Sequence, residues 1–186
     1  MARSRRAARI STSCLLAACL LLFGGHALAA EDRGTDDDDD DADGTRIGFD
    51  LDFAGTIDEV GIDSGSGGML RLGHEFDLFL ISLTPEATGS FYSFGGDDDA
   101  RFYAGQLGAR LTLGKIVEPG IFAHAGVGHL SAAESETGVA TDIGLTLDFT
   151  LLPLIDIGVH AAYDALLREE GSFDWYRAGA HVVLAL

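Results

Sequence analysis

A histidine and a serine near the middle of the chain have the spacing of a base and its nucleophile. His129 and Ser131 lie two positions apart, so both side chains point to the same side of an extended strand. An imidazole that takes the proton of a serine hydroxyl prepares it for ester hydrolysis, provided that an acid orients the ring. No acid is clearly placed for this, because Glu134 and Glu136 lie in the adjoining loop and Asp142 falls on a polar face. The pattern is short and common, so we favour a polar strand end over a catalytic pair.

The other reactive side chains do not suggest a cofactor. Lone histidines on different segments are more often hydrogen-bonded than metal-ligating, so we predict no metal site. No glycine-rich loop follows a strand and opens a helix, which argues against nucleotide binding. The sequence therefore predicts no cofactor. The histidines in question, besides His129, are His74, His124, His160 and His181.

Arginines and carboxylates recur on the polar side of alternating segments. A narrow barrel is filled by its own side chains, and buried ions must be paired, because an isolated buried ion is strongly destabilising. We therefore predict an ion network that plugs and stabilises the interior of a barrel. Its predicted members are Arg71, Arg110, Arg177, Asp50, Asp52, Glu75, Asp77, Asp142, Asp148, Asp156 and Asp164.

These charges lie on segments that alternate with period two. Between residues 141 and 151, for example, Ile143, Leu145 and Leu147 fall on one face, and Asp142 and Asp148 fall on the other. Such alternation is typical of strands, and no segment shows a helical period. Turn signals divide the chain into eight segments and predict an all-β fold, an eight-stranded antiparallel up-and-down transmembrane β-barrel. The predicted strands are 46–57, 68–82, 87–94, 100–113, 120–130, 138–151, 154–166 and 173–186.

The connections indicate that the apolar faces point outward. Every odd connection carries carboxylates (VGIDSGSG, GGDDDA, SAAESET, REEGS), whereas the even ones (SLTPEA, GKIVEPG, LPL) hold all three prolines and the only lysine, Lys115. A membrane barrel with both termini in the periplasm has four wet outer loops and three tight turns. A soluble periplasmic ligand-binding barrel with inverted faces is the alternative fold, since alternation alone does not distinguish the two.

Tyrosine placement favours the membrane barrel, because all four tyrosines lie near the acidic connections. Tyrosine concentrates at membrane interfaces, where the ring is apolar and the hydroxyl is hydrated. We predict one outer interface belt of Tyr92, Tyr103, Tyr163 and Tyr176.

The N-terminal segment has the features of an export signal. Four arginines precede an apolar stretch, and Ala27-Leu28-Ala29 supplies small residues for cleavage, so we predict a signal peptide over residues 1–29. A lipoprotein signal ending at Cys19 is a disfavoured alternative. Removing the signal removes both cysteines and leaves eight basic against thirty acidic residues. This charge argues against nucleic-acid binding.

Residues 30–45 are predicted to form a disordered acidic linker before the barrel at 46–186, since they are almost wholly polar and self-repelling. Asp39, Asp41, Asp43 and Gly44 match the first half of a calcium loop, but the match then fails. We expect at most weak divalent cation association with Asp36, Asp37, Asp38, Asp39, Asp40 and Asp41.

The signal, eight alternating strands, three tight turns, four polar loops and strand-final C-terminus resemble the small outer-membrane barrels of the OmpA and OmpX type. Those families often end in Phe, whereas this chain ends in Leu186. The resemblance implies a porin-like, non-enzymatic protein of the Gram-negative outer membrane, with outer-membrane lipid and the barrel assembly machinery as partners. The segment around His129 is similar to the His-x-Ser arrangement of lipid A deacylases, which makes such a hydrolase the alternative function.

Overall fold

The computed structural model describes residues 44–57, 62–96, 99–132, 135–152, 154–169 and 171–186. The predicted signal peptide, the aspartates of the predicted cation tract and nearly all of the predicted linker lie outside these residues. Eight strands fill the described part of the chain. They are β1 (Gly44–Thr56), β2 (Ile62–Leu78), β3 (Ile81–Gly96), β4 (Ala100–Leu113), β5 (Val117–Ser131), β6 (Ser135–Leu152), β7 (Ile155–Arg168) and β8 (Gly171–Ala185).

The strands form one closed barrel in which each strand pairs antiparallel with the next, and β1 pairs with β8. Phe49 in β1, for example, lies opposite Leu70 in β2 and opposite Val182 in β8. The N–H of Leu186 donates to the carbonyl of Thr45 at 2.9 Å, which extends this closing pair. The predicted eight-stranded antiparallel barrel is confirmed.

Side chains alternate between an apolar outer face and a charged interior. In β1, Phe49 is 54% exposed and Asp50 is 2% exposed, and Leu51 and Asp52 repeat the pattern. Period-two alternation produces this result because successive side chains of a strand point to opposite faces. The apolar faces point outward, so the soluble barrel with inverted faces is not the observed arrangement.

Two ends of the barrel are named by their connections. The turn end holds the β2–β3, β4–β5 and β6–β7 connections, and the loop end holds the other four.

Among the residues that the structure describes, no helix is long and apolar enough to span a membrane.

The first turn lies elsewhere than predicted. SLTPEA was expected to connect β2 to β3, but the turn is Phe79–Leu80 and SLTPEA belongs to β3. Pro85 fits because the β2–β3 ladder has a gap between Phe76–Leu83 and Gly73–Glu86, where its missing N–H costs no hydrogen bond. Phe79 takes the left-handed conformation, with φ 68°. Such turns normally use Asn or Gly. The Phe-Leu pair therefore gave no turn signal in the sequence.

A hydrophobic cluster fills the interior at the loop end. Tyr92, Phe94, Phe102, Phe173 and Trp175 pack ring against ring, with centroids separated by 4.7 to 6.4 Å. All five are at most 2% exposed. We call these residues the aromatic plug. The plug therefore fills the barrel interior at the loop end.

Candidate functional site

The middle of the barrel contains a closed ring of acidic and basic side chains. On one side, Glu86 of β3 contacts His124 of β5 at 2.9 Å, and the other nitrogen of His124 lies 2.7 Å from Asp142 of β6. Arg177 of β8 donates to Asp142 at 3.1 Å and lies 3.7 Å from Asp52 of β1. These contacts cross the lumen, so half of the ring already links five strands.

The ring returns through two histidines. His160 of β7 contacts Asp52 at 2.6 Å, and its second nitrogen lies 3.1 Å from the Nδ1 of His181. The Nε2 of His181 bonds Asp148 of β6. Arg110 of β4 then lies 3.4 Å from Asp148 and 3.6 Å from Glu86, which closes the ring.

The contacts of the ring histidines link carboxylates of different strands. Both nitrogens of His124 face carboxylates, Glu86 on one side and Asp142 on the other. His160 and His181 each direct Nε2 at a carboxylate and contact each other through their Nδ1 atoms. The histidines therefore connect acids that belong to strands far apart around the barrel.

Two further elements support the ring. Arg71 of β2 lies 2.8 Å from Asp50 of β1 and 3.6 Å from Glu86, which attaches the remaining strand. The Phe122 ring stacks beneath two guanidinium groups, with Arg110 at 5.3 Å and Arg177 at 5.6 Å from its centroid. Cations over an aromatic face gain about 2 kcal/mol when desolvated. All eight strands are thus joined through the lumen.

The structure brings the predicted ionic residues together. Arg71, Arg110 and Arg177 are buried with the carboxylates named above, and Asp164 lies 3.0 Å from the Nε of Arg177. Glu75 and Asp156 share Arg46 at the turn end. The remaining predicted carboxylate, Asp77, accepts a hydrogen bond from Ser82 at 2.5 Å.

Sequence reasoning missed several members of the ring. Glu86 was assigned to a turn because Pro85 precedes it. Of the histidines, His124, His160 and His181 were predicted to be lone, hydrogen-bonded side chains and were left out of the ion network, although each alternates with outward-facing apolar residues and is therefore on the inner face. The position of each histidine in the alternation of its strand was the sequence signal that places it inside the barrel. Their partners depend on barrel register, which the sequence does not specify.

One predicted member of the tyrosine belt is wrong. Tyr103, Tyr163 and Tyr176 point outward near the loop end, but Tyr92 lies fully buried inside the barrel. Its hydroxyl donates to Asp52 at 2.6 Å and accepts from Arg177 at 3.0 Å. Tyr92 lies one residue out of phase with the outward Phe91, so strand parity, not distance from the loop, determines its side.

His129 and Ser131 lie on the outer wall near the loop end, as their spacing predicted. The Nδ1 of His129 is 2.9 Å from the hydroxyl of Thr137, its cross-strand neighbour. Glu136 pairs instead with Arg168. Within the described ranges, then, no carboxylate orients His129, and the third member of a hydrolytic triad has no occupant there.

Metal-ligating groups do not cluster in the described part of the barrel. Within those residues, no three His, Cys, Asp or Glu side chains are arranged to hold a metal ion. The acids of the lumen are instead paired with arginine and histidine side chains.

No protein-family model matches the sequence, and no curated protein matches it. Among solved structures, Neisserial surface protein A is 13% identical over 76% of this chain and 97% of its own, with a TM-score of 0.61. Ail, the attachment invasion locus protein of Yersinia pestis, is 18% identical over 76% and 99%, with a TM-score of 0.48. The outer membrane enzyme PagL is 16% identical over 76% and 99%, with a TM-score of 0.47.

At these identities the similarity concerns the fold. The chain has the fold of the small eight-stranded outer-membrane barrels. That fold is compatible with more than one activity, so function has to be argued from the surfaces and interior of this barrel.

Proposed function

We propose that this protein is a non-enzymatic barrel of the Gram-negative outer membrane, exported through a cleaved signal peptide, with a plugged lumen and short acidic outer loops. The observation that carries the proposal is the polarity of the wall. Large apolar side chains point outward on every strand, and the arginines, histidines and carboxylates of the ring point inward. A water-soluble barrel has the opposite arrangement, whereas a lipid-embedded one requires this arrangement.

The size of the outer apolar surface supports a lipid environment. Leu51, Phe53, Val127, Ile143 and Leu145 are each more than 60% exposed. Removing one such side chain from water is worth about 1.5–3 kcal/mol. Leaving ten of them in water would therefore cost more than a typical folding free energy of about 5–15 kcal/mol. A monomer with this wall would not remain dispersed in water.

The interior supports a structural role over transport. The ionic ring crosses the middle of the lumen, and the aromatic plug lies between it and the loop end. Eight strands leave an interior that side chains fill. The acidic connections would then be the surface presented outside the cell, with outer-membrane lipid and the barrel assembly machinery as partners. A hydrolase acting through His129 and Ser131 has no comparable support, since Thr137 occupies the contact of the orienting acid.

Membrane fractionation with a heat-modifiability gel tests the placement. We expect the protein in the outer-membrane fraction, with a folded band that shifts on boiling. Leu145→Arg places a charge on the lipid face and should cost about 2–4 kcal/mol if the residue lies near the bilayer midplane, whereas Leu145→Ile should behave as wild type. Soluble recovery without detergent would overturn the proposal. A stable ohmic conductance in planar bilayers would contradict the plugged lumen.

A further inference from the structure

Two outward-facing glycines lie opposite each other on the barrel wall. Gly89 of β3 pairs with Gly105 of β4, and both are exposed. A Cβ built on either residue has no atom within 4 Å, so packing within the barrel does not require glycine there. Glycine weakens a strand interior and often marks a place where a ligand approaches the backbone closely.

The glycine pair forms the floor of an open groove of about 1200 Å³. Leu70 and Val127 flank the pair in the same cross-strand row, and Phe91 and Tyr103 stand in the next row toward the loop end. The walls are therefore aliphatic and aromatic, and His129 completes the aromatic row beside Tyr103. We call this surface, with Gly89 and Gly105 as its floor, the glycine groove.

Polarity rises from the groove toward the loop end. Beyond the aromatic row, Ser66, Ser93, Arg101 and Ser131 lie side by side in one cross-strand row, all facing outward. Arg101 is exposed and forms no ion pair within the residues that the structure describes. The order from apolar groove to aromatic ring to hydroxyl and guanidinium matches the order of acyl chain, interface and headgroup in a lipid.

We propose that the glycine groove binds one phosphate-bearing lipid, with an acyl chain over Gly89 and Gly105 and its phosphate at Arg101. This inference rests on the membrane placement proposed above. Guanidinium groups bind phosphate through paired N–H donors, and the neighbouring serines supply further donors.

Native mass spectrometry of the mature protein, released from detergent, tests the proposal. The probes are dioleoyl phosphatidylglycerol, dioleoylglycerol, which has the same chains without phosphate, and inorganic phosphate. We expect one phosphatidylglycerol to remain bound, about tenfold more tightly than dioleoylglycerol, since one charge-assisted contact is worth about that ratio. Inorganic phosphate alone should not bind.

Two variants separate the contribution of the acyl chain to binding from that of the lipid headgroup. Gly89→Leu with Gly105→Leu fills the floor without a clash inside the barrel and should weaken both lipids about tenfold. Arg101→Gln should lower the affinity for phosphatidylglycerol to that for dioleoylglycerol. The affinity for dioleoylglycerol should not change. Ala87→Leu, an outward position of β3 beyond the groove lining, is the matched control and should bind as wild type.

A folded band on a heat-modifiability gel verifies every variant, so loss of lipid is read only from closed barrels. Equal retention of both lipids by wild type, or equal effects of Ala87→Leu and the double glycine variant, would overturn the lipid site. The membrane placement would survive that result, because fractionation tests it separately. Binding of inorganic phosphate with no preference for phosphatidylglycerol would show an anion site without a lipid groove, and would also overturn the proposal.

Discussion

Removing the charge of Arg177 should destabilise the barrel more than removing the charge of any other arginine or lysine in the described strands and turns. The guanidinium lies 3.1 Å from Asp142, 3.0 Å from Asp164 and 3.7 Å from Asp52, and it donates to Tyr92 at 3.0 Å. Its side chain is 1% exposed. Replacing it by methionine keeps an unbranched side chain but leaves three buried carboxylates around an apolar group.

The magnitude follows from the burial. Removing one partner of a buried ion pair costs about 3–5 kcal/mol, because the remaining charge is left uncompensated. For a domain of this size, Arg177→Met should lower the melting temperature in detergent by on the order of 10 °C. Lys115→Met, at an exposed turn, is the matched control and should change stability by less than about 0.5 kcal/mol. Thermal unfolding in detergent measures the melting temperatures of the two variants. A urea titration followed by the heat-modifiability band measures their free energies of unfolding.

A double-mutant cycle tests the pairing itself. Within the described residues Asp164 contacts no cation except Arg177, so Asp164→Asn combined with Arg177→Met should recover about 0.5–3 kcal/mol relative to the sum of the single changes. Equal melting temperatures for Arg177→Met and Lys115→Met would refute the reasoning. An additive cycle would show that Arg177 acts through packing, not charge.

Three further changes have definite expected outcomes in the same urea titration. Tyr92→Phe removes a buried hydroxyl that bridges a carboxylate and a guanidinium and should cost about 1–3 kcal/mol, whereas Tyr163→Phe on the outer wall should be neutral; equal effects would argue against the bridge. Gly158→Ala places a Cβ 2.3 Å from a ring carboxylate oxygen and should destabilise clearly, whereas Gly55→Ala has no atom within 4 Å and should not; the reverse order would contradict the packing. Phe79→Gly relieves a left-handed backbone at φ 68° and should stabilise by about 0.5–1 kcal/mol; a loss would mean that the phenylalanine contacts matter more than the strain.

The sequence was sufficient for the strand count, the pairing order and the direction of the faces. Alternation assigns each side chain to a face, and the acidic connections distinguish the two ends. It failed where local chemistry opposes the fold. Pro85 suggested a turn but lies in a gap of the ladder, and Phe79 occupies a turn that its residue type disfavours.

The ring could be predicted only in part, for a different reason. Strand parity places Arg177, Asp52 and His160 in the lumen. Which of them touch depends on the register of β7 against β8 and on closure of β1 against β8. Register is a property of the assembled sheet, and no segment specifies it alone.

The closed ring has a consequence for the order in which the barrel is built. Its members on β1 and β8 meet only across the closing pair, since Asp52 and Arg177 belong to the first and last strands. The β7–β8 hairpin entering lipid alone would take Asp156, His160, Asp164, Arg177 and His181 into hydrocarbon without most of their partners, at a cost of several kcal/mol in total. Insertion one hairpin at a time is therefore opposed by the charges themselves. We therefore expect the β1–β8 seam to close as the lumen side chains leave water, not after it.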